Sequence, residues 1–553
     1  MNYQTLAELL YPNITKTPSD YDQIYPDRGL GPKAEVLRIA PSPTGFIHLG
    51  NLYGALADER IAHQSNGVFF LRIEDTDNKR LVKGAVETII STFDYFQIDF
   101  DEGAEVIKHN GNHYGPYYQR QRTEIYQAYA KDLVKKGLAY PCFCDEAQLK
   151  QQRETQLAAN LTTGYYGQWA VCRNLSFEDI KANLQAHKPF VIRLRSHGDP
   201  MIKHSFHDEI KGDITVSEND LDVILLKADG VPTYHFAHAV DDHLMHTTIV
   251  LRGEEWLGTL PIHLELFKAL ELPLPRYAHT SQLMKMDNGI KRKLSKRKDP
   301  ELSLDYYRQL GYHPYAVKIY LMTLLNWNFE EWFIKNPDAD ITEFKLSVNK
   351  MGQSGALFDL DKLNNISKTY LSKKSPEEIL SFLKAYIAEN KPDLSTIYFH
   401  DESYLLKILN LGMGTSLKKR RKDYINASQI IDSITYYYDE LYQPVYEFCF
   451  DNELSAKIIT AFKATYDIND DNNQWFNKLK DFAGELGIAA EMSDYKAEPD
   501  RYIGNISDLA EVLRVATTGH KNTPDLWAIM QIMGYQKVIS RLDQALEYLK
   551  GSV

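Results

Sequence analysis

The segment from Glu35 to Ile73 constrains the fold of this chain more than any other. "EVLRIA" alternates short apolar residues and ends at Pro41, which predicts a strand. Pro41 and Pro43 forbid helix through Thr44, because each lacks an N–H and biases its predecessor toward extended backbone. From Leu49 the spacing of Leu52, Leu56 and Ile61 predicts a helix that stops at Asn66-Gly67. "VFFLRI" then predicts a second, almost wholly apolar strand of the kind buried in a parallel sheet. Strand, irregular loop, helix and strand make a βαβ unit. Its crevice lies over the first strand's carboxyl end, where ligands of open α/β sheets bind.

In that loop the prolines and Gly45 hold the backbone open, and Gly50 lets a ligand approach closely. The helix start offers free N–H groups and a positive dipole end to an anion, typically phosphate. His48 stands at that position, although a lone histidine beside a helix start can simply cap it. The stretch is neither a Walker loop nor G-x-G-x-x-G, so those nucleotide-binding readings fail.

At 553 residues the chain is too long for one core, and about three to five domains are expected. An apolar share of 44% with 25% charged residues is ordinary globular composition. A net charge of −12 speaks against generalised polyanion binding, leaving basic patches such as "KRKLSKRK" (Lys291 to Lys298) and "LKKRRK" (Leu417 to Lys422). Either patch can also be a solvated basic segment. Apolar runs such as "VILLKA" and "YLMTLL" are far short of a membrane span, and the first residues lack a signal-peptide layout. The four cysteines, Cys142, Cys144, Cys172 and Cys449, argue against a disulfide framework and for a reducing compartment, the cytoplasm.

"PSPTGFIHLGN" resembles the first signature of the class I aminoacyl-tRNA synthetases, the HIGH motif, with His48-Leu49-Gly50-Asn51 in its place. "PSPTG" and "RIEDTD" (Arg72 to Asp77) resemble the glutamyl branch, whose glutaminyl and eukaryotic-type relatives usually carry Glu where Ser42 stands. "KLSKR" (Lys293 to Arg297) resembles the second signature, KMSKS. Asp229 to His263 is similar to the second half of the same catalytic domain, and "LRVATTG" (Leu513 to Gly519) to the C-terminal helices of bacterial members.

The resemblance implies an α/β fold: a Rossmann-like parallel-sheet catalytic domain with an α+β insertion, then an all-α anticodon-binding region. The boundaries it implies are an extension over 1–35, catalytic halves over 36–113 and 228–300, and an acceptor-end insertion over 114–227. A stem-contact region over 301–385 and an anticodon-binding domain over 386–553 follow. The extension carries no assigned function.

It also implies a two-step reaction: glutamate's α-carboxylate attacks the α-phosphorus of ATP, and a tRNA ribose hydroxyl then takes the glutamyl group. The expected partners are glutamate tRNA, L-glutamate and ATP with Mg²⁺, with no membrane and a monomeric chain. His48, Lys293 and Lys296 are the implied catalytic residues. Gly50, Asn51, Glu255 and Ser295 join them around ATP. Arg38, Ser42, Glu74, Tyr234 and Arg252 line the amino-acid pocket, with Glu74 meeting the ammonium and Arg252 the side-chain carboxylate.

Glutamate and glutamine are almost the same size, so charge must separate them, and a guanidinium has only donors to offer. An Arg252 paired with Glu254 or Glu255 is the structural alternative. Two other functions stay open: a nondiscriminating enzyme that also charges glutamine tRNA, and an inactive tRNA-binding relative, against which His48, Lys293, Lys296 and Arg252 argue. A shortened relative that modifies a queuosine base lacks the C-terminal helices found here.

"CFC" with Cys172 resembles a zinc site found in the insertion of some members. Its usual histidine position is Asn174 here, Tyr166 is offered as a fourth ligand, and buried free cysteines without a metal are the alternative. His238, at a position often Asn or apolar in relatives, is either structural or a ligand contact.

Overall fold

The computed structural model describes residues 1–44, 47–105, 114–413 and 422–551. Its contacts divide the chain into two compact units, one of Met1–Tyr307 with Val317–Leu360 and one of Arg308–Ala316 with Asp361–Val553.

In the first unit the extension forms α1 (Tyr3–Leu10) and α2 (Pro18–Ile24). Next come β1 (Val36–Ile39), α3 (Leu49–Gln64), β2 (Val68–Leu71), α4 (Ala85–Tyr95) and β3 (Glu102–Gly103), with β1, β2 and β3 parallel. The predicted βαβ unit is therefore present. Helix α3 is buried on nearly every face, down to Asp58, Glu59 and Arg60, which is why its sequence has so little amphipathic contrast.

The insertion opens on α5 (Thr123–Lys135), which receives the extension: the Lys131 ammonium donates to Glu8 at 2.6 Å and to the Tyr11 and Ile14 carbonyls. Then follow β4 (Ala139–Cys142), α6 (Glu146–Ala158), α7 (Phe177–Gln185) and β5 (Val191–Leu194). A hairpin of β6 (Lys203–Asp208) and β7 (Gly212–Ser217) precedes β8 (Ile224–Leu226), and β4, β5 and β8 form one antiparallel sheet.

After α8 (Tyr234–Leu244) the chain returns to the parallel sheet. β9 (Ile249–Gly253) is parallel to β10 (Arg276–Thr280), which follows α9 (Leu260–Ala269). The Thr248 N–H donates to the Val36 carbonyl at 2.9 Å, which sets the β9-β10 pair beside β1 of the three-stranded sheet, in the spatial order β3-β2-β1-β9-β10. The order reverses between β1 and β9, the position at which an open α/β sheet leaves a crevice for ligands. A tight antiparallel hairpin of β11 (Leu283–Asp287) and β12 (Ile290–Lys293) then carries "KLSKR". Asn288 and Gly289 both have positive φ, as a two-residue hairpin turn requires.

The second unit is helical among its described residues. Ser375 and Glu378 form a capping box on the helix Pro376–Asn390, and Asn505 with Asp508 does the same for Ile506–Thr518, which Gly519 ends at φ 75°. The unit's last two helices, Leu526–Met533 and Tyr535–Gly551, are parted at Gly534 with φ 79°. Leu509, Leu513, Ile529 and Leu542 are fully buried in its core. The patch "LKKRRK" lies outside the described residues except for Lys422, whose ammonium donates to the Thr369 hydroxyl at 3.3 Å. No helix among the described residues is long and apolar enough to cross a membrane.

Candidate active site

A cavity of about 630 Å³ opens at the carboxyl ends of β1 and β9. Arg38, Ser42, His48, Gly50, Asn51, Glu74, Tyr234, Arg252, Glu255, Lys293 and Lys296 all line it. Of the residues expected around ATP, Ser295 does not line the cavity. Its N–H donates to Asp299 at 2.8 Å, so it fixes the turn between the two lysines. Asp299 also takes both arms of Arg292, and Glu301 holds Lys285, so the signature turn is clamped from its flanks.

His48 sits at the N-cap of α3, and its N–H donates to the Asn51 side chain at 3.0 Å. Its backbone also bridges to Ser303, just beyond the signature turn. A Cβ on Gly50 would stand 3.0 Å from the imidazole carbon and Nδ1. The space left by Gly50 is thus taken by the His48 ring, and the expected close ligand approach applies to the ring rather than to that glycine. Burial, followed by the charge of Lys296, lowers the His48 pKa, which favours the neutral ring. Gly253 plays a similar part: a Cβ there would lie 2.2 Å from the folded-back Glu255 carboxylate.

Three carboxylates from two segments, Asp241 and Asp242 on α8 and Glu74 after β2, organise the floor. Asp242 on α8 accepts from Arg38 at 3.1 Å and from Arg72 at 2.7 Å. Burial pushes Asp242 up, but the two arginines outweigh it and hold it well below the carboxylate range. Asp241 accepts from Arg122 at 2.7 Å and from the Tyr126 hydroxyl at 2.7 Å. Glu74 lies 3.4 Å from Arg72, and burial pushes its pKa up to about 7 against the pull of Arg72 and Arg38. Of the other acids in "RIEDTD", Asp75 accepts the Arg120 N–H and Asp77 pairs with Arg80 at the cavity rim.

Asp241 and Asp242 were missed by sequence reasoning. The doublet in "HAVDDHL" gives one usable signal, since His238 and Asp242 are four apart on one helix face. His238 is fully buried, 2.7 Å from Asp242 and 2.9 Å from the Tyr277 hydroxyl, and does not line the cavity. It is structural.

Arg252, only 9% exposed, does not pair with Glu254 or Glu255. Glu254 pairs instead with Lys211 at 2.5 Å. The Arg252 Nε donates to His279 at 2.9 Å, and one terminal nitrogen lies 3.0 Å from His263 and 3.5 Å from the Tyr234 hydroxyl. No carboxylate among the described residues forms an ion pair with it.

In the insertion the sulfurs of Cys142, Cys144 and Cys172 lie within 4.8 Å of one another. The tyrosine beside them is Tyr165, whose hydroxyl is 3.4 Å from Cys142 and 3.3 Å from Cys144, and accepts the Cys172 N–H at 3.0 Å. This corrects the expectation for Tyr166, whose hydroxyl turns away to donate to the Thr162 carbonyl at 2.8 Å. Asn174 is also elsewhere, accepting from Arg195.

A switch-point cavity between two signature segments, fed by a split parallel sheet, is the catalytic architecture of a class I aminoacyl-tRNA synthetase. Residues 35–365 match the family of tRNA synthetases class I (E and Q), catalytic domain, and residues 426–546 match an anticodon binding domain. Similar proteins include the glutamate–tRNA ligase of Acetivibrio thermocellus, 55% identical over 99% of this chain and 100% of its own length. That of Clostridium perfringens strain 13 is 45% identical over 98% of this chain and all of its own. A solved glutamate tRNA ligase from Elizabethkingia meningosepticum, crystallised with its amino acid, matches at a TM-score of 0.73 and 27% identity, covering 93% of this chain and 99% of that one. The chain belongs to the glutamate–tRNA ligases.

Proposed function

We propose that this cavity is where L-glutamate is activated, and that the residues lining it divide between the amino acid and ATP. The chain is an ATP-dependent ligase that charges tRNA with glutamate, and neither the nondiscriminating nor the inactive reading is favoured by its relatives. One observation carries the assignment of the amino-acid end: Arg252 is a buried guanidinium whose side-chain partners are neutral. An isolated buried charge is strongly unfavourable without a partner, and a substrate carboxylate supplies one with matching bidentate geometry. Glu74 faces the ammonium, with Arg38, Ser42 and Tyr234 around the rest of the molecule.

At the other end His48 donates to an α-phosphate oxygen as charge develops, while Lys293 and Lys296 neutralise the departing pyrophosphate. Glu255, Gly50 and Asn51 shape the nucleotide's seat. Phosphoryl transfer asks the protein mainly for positioning and charge stabilisation, which these groups offer. Mg²⁺ accompanies ATP as part of the substrate.

Cys142, Cys144, Cys172 and Tyr165 would hold a structural zinc ion. Three sulfurs and a phenolic oxygen fit its preference for four donors, and Zn–S bonds of about 2.3 Å set tetrahedral sulfurs about 3.8 Å apart. Cys144 and Cys172 are 3.6 Å apart. The four cysteines are unpaired by disulfides, which supports a reducing cytoplasm, and the chain is proposed to act as a monomer.

Charging purified glutamate and glutamine tRNAs with labelled glutamate tests the reading. Transfer to glutamate tRNA is expected, with pyrophosphate exchange weak until tRNA is added. No charging of any tRNA would overturn the assignment, and strong exchange without tRNA would overturn the tRNA dependence.

A further inference from the structure

The buried arginines of the first unit are compensated in different ways, Arg60 and Arg193 donating to the backbone carbonyls of Thr342 and Asp222. Arg28, Arg38, Arg72 and Arg122 each meet a carboxylate directly, through Glu102, Asp242 or Asp241. Arg252 meets imidazoles. Its Nε donates to His279 Nε2 at 2.9 Å, and a terminal nitrogen contacts His263 Nδ1 at 3.0 Å. Its remaining contacts are the Trp256 carbonyl at 3.5 Å, the Tyr234 hydroxyl and the face of the Tyr277 ring, 5.0 Å from the centroid.

A guanidinium donates only, so both imidazole nitrogens facing it must accept. That requirement fixes the protons of the rings one after another. His279 then carries its proton on Nδ1, which lies 2.6 Å from Asp208. Asp208 is fully buried and anchored by the N–H groups of Ile210, Lys211 and His279. His263 carries its proton on Nε2, 2.9 Å from His235 Nδ1, which accepts it. Every ring is neutral in this arrangement, and burial independently lowers the pKa of His279, His263 and His235. On the His279 side Asp208 is one ring removed from the guanidinium.

We infer that Asp208 with His279, and His263 with His235, are positioning residues that aim Arg252 through neutral acceptors, so that its charge stays available to the substrate's side-chain carboxylate. The inference rests on the assignment of Arg252 proposed above. A carboxylate in place of either ring would hold the guanidinium at least as firmly, since charge-assisted bonds are the stronger ones. It would also satisfy the charge that must discriminate glutamate from glutamine. An imidazole whose tautomer is set from behind gives direction without neutralisation, much as outer partners orient metal-bound histidines.

The test uses the full-length enzyme in tRNA-dependent charging, with KM for glutamate, KM for ATP, kcat and the glutamate-over-glutamine preference measured together with Tm. His263→Glu supplies an acceptor that carries negative charge. Asp208→Asn frees His279 to adopt the wrong tautomer, which then presents an N–H to Arg252. By analogy with outer partners of metal ligands, KM for glutamate is expected to rise on the order of 10–100-fold in each. The preference for glutamate narrows, while KM for ATP and kcat at saturating glutamate change only a few-fold. Asp208 also holds three backbone N–H groups, so if Asp208→Asn fails to fold, His263→Glu decides. A wild-type KM for glutamate in a folded His263→Glu, whatever its Tm, would overturn the inference. Arg252→Gln separates this from the assignment beneath it. If Arg252→Gln keeps the wild-type preference, the assignment of Arg252 itself falls. If it loses the preference while the histidine and aspartate variants keep theirs, only the positioning role falls.

Discussion

Glu74 offers the sharpest pH test of the amino-acid pocket. Its carboxyl, buried beside Arg72 and Arg38, is pushed up to about 7, whereas His235 and His238 are driven down by burial to about 4 and His48 is lowered as well. Only the ionised carboxylate can meet an ammonium. The sign follows: glutamate affinity is nearly complete at pH 8, halved at about pH 7 and lost as pH falls further. For one group with a pKa of about 7, the apparent KM scales as one plus the protonated-to-ionised ratio, roughly 1.1 at pH 8 and roughly 11 at pH 6. KM for glutamate is therefore expected to rise about tenfold from pH 8 to pH 6. The equivalent free energy is about 1.4 kcal/mol. kcat reports the loaded enzyme, in which the ammonium holds Glu74 ionised, and should stay flat over this range, as should KM for ATP. Steady-state charging at saturating tRNA and ATP measures all three. In Glu74→Gln the KM should be higher and its slope with pH gone. A flat wild-type KM between pH 6 and 8, or the same slope in Glu74→Gln, would refute the argument.

Arg252→Gln should lower kcat/KM for glutamate by on the order of 10²–10⁴, the equivalent of an uncompensated buried charge of about 3–5 kcal/mol, and narrow the preference over glutamine. Unchanged preference with only a lower Tm would make it a structural residue. His48→Ala or Lys296→Ala should slow adenylate formation on the order of 10²–10³-fold, by analogy with losing one preorganised donor, in single-turnover assays with tRNA present. Unchanged rates in both would remove them from the chemistry. Metal analysis of chelator-free protein should find about one zinc per chain, and Tyr165→Phe should release it to a chelator faster than Tyr166→Phe does. A content far below one zinc, or equal release from the two variants, would end the zinc assignment.

The βαβ unit was legible because its signals are local: apolar runs bounded by Pro41, Pro43 and Gly67 set strand, loop and helix within one short stretch. The seating of β9 against β1 was not legible, because the Val36 and Thr248 contact joins segments with no shared local pattern. The same distance hid Asp241 and Asp242, which in sequence are ordinary polar residues of a helix and in space neutralise arginines from three other elements. Tyr165 and Tyr166 differ only in which way adjacent side chains point, a choice made by the turn and not by composition. The residues around Arg252 illustrate a further gap. Spacing can nominate a histidine, but its service as a neutral acceptor emerges only once its partners are known.

The sharing of Asp241 and Asp242 among Arg38, Arg72 and Arg122 also sets an order of events during synthesis. Arg38 and Arg72 leave the ribosome long before the aspartates, with the insertion still to be made between them, and Arg122 emerges near the insertion's start. A buried arginine without its carboxylate is strongly destabilising, so the first half of the sheet cannot close around its own charges. Closure waits for α8 and β9, and the nascent chain meanwhile presents a cationic, incompletely packed surface to whatever surrounds it. For the same reason a chain cut between β3 and α8 is expected to leave a first half unable to fold alone.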